Sequence, residues 1–103
     1  MFDILSNLYG ISSMSGNYEQ RKVENTEREN FTLDTARVTD RPWIYETAVR
    51  HKNFRNNNWI VLEGSNTKEE AIKIHNKWLE FLEKDDYNTL TDCYEEYDYI
   101  RQI

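Results

Sequence analysis

The sequence predicts an α+β fold: a small antiparallel sheet of about three strands, covered on one face by a long amphipathic helix, with short helices at the N- and C-terminal ends. Three observations carry that prediction. Two stretches, residues 31–36 and 43–50, alternate in polarity, and a third, residues 59–63, is an apolar run, so all three read as strands. Thr67-Lys68-Glu69-Glu70 opens a stretch of helical periodicity reaching residue 84. At 103 residues, the chain holds material for one core.

Taken in order, Phe2, Leu5, Leu8 and Tyr9 recur at helical spacing and Gly10 can supply a left-handed terminus, which predicts a two-turn helix over 2–9. A helix this short does not hold alone in water, so it is expected to dock on the domain or on a partner. Residues 10–29 are strongly polar, with Tyr18 and Val23 as the main apolar side chains, and read as an extended arm. The chain therefore divides into a helix and arm over 1–29 and a single domain over 30–103.

From residue 31, Phe31, Leu33 and Thr35 alternate with Thr32, Asp34 and Ala36 as a strand does. Asp40-Arg41-Pro42 breaks the pattern, because proline fixes φ and removes a donor. Trp43 to Arg50 alternates again, and Trp59-Ile60-Val61-Leu62-Glu63 reads as a central strand after the loop 51–58. The capping box at Thr67 then starts a helix over 67–84. Its predicted inner face carries Ala71, His75, Trp78 and Leu82, flanked by Ile74, Phe81, Ile72 and Leu79. Glu69, Lys73, Asn76, Lys77 and Glu80 form a solvated outer face. Asp85-Asp86-Tyr87-Asn88 interrupts the period. A weaker capping signal at Thr89-Leu90-Thr91-Asp92 predicts a final helix with Leu90, Cys93, Tyr94, Tyr97 and Ile100 on one face.

The net charge of −6 is uneven: −2 over residues 1–30, +1 over 31–82 and −5 over 83–103. Such a chain lacks the broad basic surface that displaces counterions from a duplex, and it disfavours anionic membranes, so neither nucleic acid nor membrane is an expected partner. A single cysteine, Cys93, excludes an internal disulfide and a cysteine-based zinc site within one chain. The first residues show no basic region or small-residue cleavage site of a secretory signal, and no run approaches the length of a membrane-spanning helix.

Chemistry-bearing patterns are scarce. The two histidines match no metal-ligand spacing, and His75, between Ala71 and Trp78, reads as a packed core residue. Gly10, Gly16 and Gly64 form no phosphate-cradling motif, and residues 83–95 hold no glycine for an EF-hand turn. No catalytic residue, metal or cofactor is predicted, and the chain reads as a non-enzyme acting by protein contact. Three segments are candidate contact surfaces. The first is the N-terminal helix and arm, through Phe2, Leu5, Leu8 and Tyr18. The second is the loop bearing Arg50, His51, Lys52 and Arg55, which could grip a carboxylate or phosphate. The third is the acidic, aromatic C-terminal segment Tyr94, Glu95, Glu96, Tyr97, Asp98 and Tyr99.

Glu46-Thr47-Ala48-Val49, His51, Phe54, Trp59-Ile60-Val61, Glu63, Thr67, Glu69-Glu70-Ala71, His75 and Trp78, in that order, resemble a pattern in small proteins of tailed bacteriophages and prophages. The resemblance covers residues 43–79. It implies no enzyme activity. What it implies is a minor virion component of capsid, tail or neck, or an assembly factor, with other virion subunits as partners and a homo-oligomer within the particle as one arrangement. The alternative is an acidic inhibitor of a host defence protein or nuclease. Either role implies the cytoplasm of an infected bacterium, or the virion, as its location.

Overall fold

A computed structural model describes residues 18–103; the helix predicted over 2–9 lies outside the described residues. The elements in chain order are a one-turn helix α1 (Tyr18–Arg21), strands β1 (Lys22–Glu27), β2 (Phe31–Arg37), β3 (Tyr45–His51) and β4 (Trp59–Ser65), helix α2 (Lys68–Lys84), and strands β5 (Thr89–Asp92) and β6 (Tyr97–Ile100). β1 to β4 form one antiparallel sheet in sequence order, and β5 pairs with β6 in a separate hairpin. The class is the predicted one, α+β with a long helix on an antiparallel sheet. Beyond the single turn α1, which falls in the segment read as an arm, two elements differ from expectation.

The first is β1, which takes residues 22–27 out of the segment read as an arm and makes the sheet four-stranded. A register shift between Lys22 and Glu24 breaks the alternation, so the half-buried side chains, Val23 and Thr26, fall three apart. A bulged edge strand buries little and tolerates charge, so it leaves no period in the sequence. Thr26 nonetheless ties β1 to α2, its hydroxyl lying 2.9 Å from His75 Nε2.

The second is the C-terminal hairpin, which replaces the predicted final helix. Asp92 does cap, but it caps a turn: its Oδ1 accepts the Tyr94 and Glu95 amides at 3.0 and 2.7 Å, and Glu96 enters the left-handed region at φ 57°. That conformation stops a right-handed helix within one turn, and the flanking Thr, Tyr and Ile residues favour strand. The hairpin lies against the outer edge of β4. Val61 N–H donates to Asp92 Oδ2 at 3.0 Å, and the Cys93 amide donates to the Val61 carbonyl at 2.8 Å.

α2 follows the sequence closely. The Thr67 hydroxyl accepts the Glu70 amide at 3.1 Å, and Asp85, at φ 50°, closes the C-terminus with its amide on Leu82 O. Ala71, His75 and Leu82 are buried, while Trp78 is only half buried and donates its indole N–H to Glu63 at 2.9 Å. Below the helix lies the main core of Phe31, Leu33, Val49, Phe54, Ile60, Leu62, Leu82, Tyr87 and Leu90. The opposite sheet face carries a smaller cluster of Ala36, Val38, Ala48 and Trp59, with Tyr18 and Trp43 packed against it. Trp43 precedes β3 rather than opening it, and its ring lies directly on Gly64, where an added Cβ would meet the ring at 2.1 Å. Only glycine admits the indole there.

Candidate functional site

The structure sorts the predicted contact residues into those committed to the interior and those left at the surface. His51 belongs to the interior. β3 extends through residue 51, so alternation turns His51 to the helix-covered face opposite Phe31. There it is fully buried between Phe31, Phe54 and Tyr87, with ring centroids 6.3, 5.0 and 6.0 Å away. Its Nδ1 accepts the Asn53 amide at 3.0 Å and its Nε2 lies 3.2 Å from Asp85 Oδ1. Burial lowers its pKa, outweighing Asp85, and the neutral imidazole is the resident form. His51 is thus removed from the predicted loop surface.

Tyr18 is likewise structural. Its hydroxyl donates to the fully buried Asp34, which also accepts from Asn25 Nδ2 at 2.7 Å. Burial first, then the Asp34 charge, raises the Tyr18 pKa and keeps the phenol protonated. Phe2, Leu5 and Leu8 lie outside the described residues.

Arg55 joins two surfaces that the sequence presented separately. Its guanidinium donates to the Trp59 carbonyl at 2.9 Å, lies 3.6 and 3.4 Å from Asp92 and Glu95, and stacks 4.7 Å from the Tyr99 ring. The basic loop is therefore covered on this side by the acidic hairpin. The backbone beneath it is strained, because Arg55, Asn56 and Asn57 all have positive φ, at 51°, 53° and 64°. Asparagine tolerates that region and arginine does so less readily. Gln102 holds the turn, with its Oε1 accepting the Asn56 amide at 2.7 Å, its Nε2 donating to Asn56 Oδ1 at 2.9 Å, and its own amide on Asn53 O at 2.6 Å.

The hairpin carries exposed large side chains: Tyr94 is 46%, Tyr97 57% and Ile100 62% accessible. Tyr97 and Tyr99 pack ring against ring at 4.6 Å, and Glu96 and Asp98 flank them at the surface. Tyr94 extends this surface toward residues that the sequence did not mark. It meets Trp43 edge-on at 6.1 Å, lies under the Arg41 guanidinium at 4.0 Å, and adjoins a loop that leaves Ile44 43% exposed. Arg41 Nε and Trp43 Nε1 both donate at 2.9 Å to Oε1 of Glu46, a fully buried carboxylate whose Oε2 has no hydrogen-bond partner among the described residues. Burial raises the Glu46 pKa against the opposing pull of Trp43 and Arg41. The signal that could have found this unit is Arg41-Pro42-Trp43 ahead of a strand with an inward glutamate, but pairing across a loop has no sequence period.

Neither a family model, nor a curated protein, nor a solved structure matches this chain.

The second histidine, His75, has hydroxyls at both ring nitrogens: Thr26 at Nε2, 2.9 Å, and Thr35 at Nδ1, 2.8 Å, with Thr47 continuing the chain 2.7 Å from Thr35. A hydroxyl on an imidazole nitrogen is the contact that activates a nucleophile, but here the other nitrogen meets a buried threonine where an orienting carboxylate would stand. The geometry is that of a cross-strand brace. Burial lowers the His75 pKa. Cys93 is half buried, and burial together with Asp92 and Glu46 pushes its thiol up to about 11, away from the reactive thiolate. Among the described residues no group of three or more His, Cys, Asp and Glu side chains could hold a metal ion, and no helix is long and apolar enough to cross a membrane.

Proposed function

We propose that this chain is a non-enzymatic phage protein that acts by protein–protein contact, as a minor virion or assembly component. The observation that carries the reading is the exposure of Tyr94, Tyr97 and Ile100 on and around β5–β6, and of Ile44 in the loop before β3, at 43–62%, with Tyr94 set against Trp43 and Arg41. Tyrosine, tryptophan and arginine are the residue types that dominate interface energetics, and they offer large contact area at low entropic cost. The resemblance over residues 43–79 supplies the phage context, with another virion subunit as partner in the infected cell or the particle.

Mass spectrometry of purified particles and assembly intermediates tests this reading. Finding the chain in either supports it, and absence from both removes it. The double variant Tyr97→Ser with Ile100→Ser is expected to fold as the parent does, because both side chains are exposed, and to be lost from particles.

A second reading, an acidic inhibitor of a host defence protein or nuclease, is favoured by one feature: Glu96 and Asp98 project from the same hairpin. Under it, affinity for the host protein falls steeply with salt and on neutralising Glu95, Glu96 and Asp98. Salt-independent binding, or the absence of any host partner in a pull-down, counts against it.

A further inference from the structure

At one end of the sheet, the turn between β1 and β2 faces the start of the loop between β3 and β4. Between them is a groove of about 150 Å³. Three cations from three segments line it: Arg28 from the turn, Arg50 from β3 and Lys52 from the loop. The two walls are tied together, since the Lys52 amide donates to Asn30 O at 3.0 Å.

The cations differ in how they are held. Arg28 is already matched by Glu83, at 2.7 Å. Arg50 and Lys52 have no carboxylate within ion-pair distance among the described residues, and Arg50 is braced by the Trp59 ring, 5.2 Å from its guanidinium carbon. In a chain of net charge −6 carboxylates outnumber cations, and Arg28, Arg41, Arg55 and Arg101 have each found one. One acid, Glu29, also borders the groove, leaving the lining with an excess of positive charge.

Neutral donors complete the lining. Thr32, Asn30 and Asn57 border the same space. Asn57 is the last residue of the left-handed turn that Gln102 holds in place, so a strained backbone fixes one rim. Strain of this kind persists where the surroundings over-determine it, and ligand clamps are a recurrent setting.

We propose that this groove binds a phosphate-sized oxyanion, free phosphate or a phosphate monoester, with Arg50 and Lys52 as its charge partners and Thr32 and Asn57 as neutral donors. Arg50 presents a planar fork suited to two oxygens at once, and Lys52 adds a point charge two residues further along the same wall. His51 and Arg55, grouped with these residues by the sequence, take no part: one is buried in the core and the other is held by the hairpin acids.

The test is a ¹H–¹⁵N titration of the whole chain with inorganic phosphate at ionic strength held constant with sodium chloride, and in parallel with adenosine monophosphate. Saturating shifts are expected at amides of residues 28–32, 50–52 and 57, with a dissociation constant on the order of millimolar. Lys52→Ala and Arg50→Ala should each weaken binding by about fivefold or more; Lys52 is exposed, so its variant keeps the fold. Tighter binding of the monoester assigns the groove to an esterified ligand, and equal binding assigns it to the free ion. Shifts that stay linear in both titrations, or saturation that neither substitution alters, overturn the proposal.

Discussion

Gly64→Ala probes the unit that supports the exposed hairpin surface. The new methyl would lie 2.1 Å from Trp43 Cδ2, 2.3 Å from Cγ and 2.6 Å from Cε2, whereas carbon atoms in contact sit ~3.5–4.0 Å apart. The ring must therefore withdraw by about 1.5 Å, which takes its N–H away from Glu46 and disturbs its edge contact with Tyr94. Overpacking alone costs about 1–3 kcal/mol, and a hydrogen bond to a charged group contributes about 1.5–3 kcal/mol. Because one movement relieves the clash by breaking the bond, the two overlap and the expected loss is about 2–4 kcal/mol. In a domain of this size each kcal/mol lowers Tm by about 4–8 °C. Urea unfolding followed by far-ultraviolet circular dichroism is the assay, since Trp43 would itself change a fluorescence signal. The Trp43→Ala background makes the test specific: with the ring gone, Gly64→Ala should change stability by no more than ~0.5 kcal/mol, giving a coupling of about 2 kcal/mol or more between the sites. An equal loss in both backgrounds would refute the account, as would a parent-like Gly64→Ala.

Three further outcomes follow from the same coordinates. Leu82→Ala, at a fully buried helix position, should cost about 2–5 kcal/mol, while Lys73→Ala on the outer face should stay within ~0.5 kcal/mol; equal losses by urea titration would mean that the helix packs on another face. His51 and His75 both have pKa values lowered by burial, so the unfolded chain takes up their protons first as pH falls. Their contribution is complete above the ordinary value of about 6.5 and is lost below it through the folded pKa values, so melts from pH 8 to 5 should show falling Tm, and His75→Gln should flatten that slope. Gln102→Ala removes both side-chain bonds to Asn56, and native-state hydrogen exchange at Asn56 and Asn57 should rise on the order of tenfold with little change elsewhere.

What the sequence made legible was what repeats. The capping box at Thr67 and the helical period placed α2 to within a residue, alternation found β2 and β3, and the apolar run found β4. β1 was hidden because a bulge puts Val23 and Thr26 out of phase, and because an edge strand can be mostly charged. The hairpin was misread as helix for a different reason. Asp92 is a genuine cap, and only the left-handed Glu96 and the distant partner at Val61 decide that it caps a turn. The site shows the same division. Tyr94 and Tyr97 are exposed on the hairpin although the helical reading set them on one face with Leu90 and Ile100, the burial of His51 depended on β3 running one residue further, and the union of Arg55 with Glu95 depended on tertiary placement.

The meeting of Asp92 with Val61 also bears on solubility. Trp59-Ile60-Val61-Leu62 is the chain's most apolar, most strand-prone run, and it lies on a border strand of the sheet, where an unfilled amide and carbonyl would template another chain. Sequences commonly defend such runs with charged gatekeepers immediately beside them. Here the guard stands 31 residues downstream and works by occupying the amide itself with a carboxylate, while the next residue fills the carbonyl. A scan of short windows would credit Glu63 beside the run and pass over Asp92. Removing that one carboxylate would reopen a growth point for aggregates while leaving every residue of the hazardous segment unchanged.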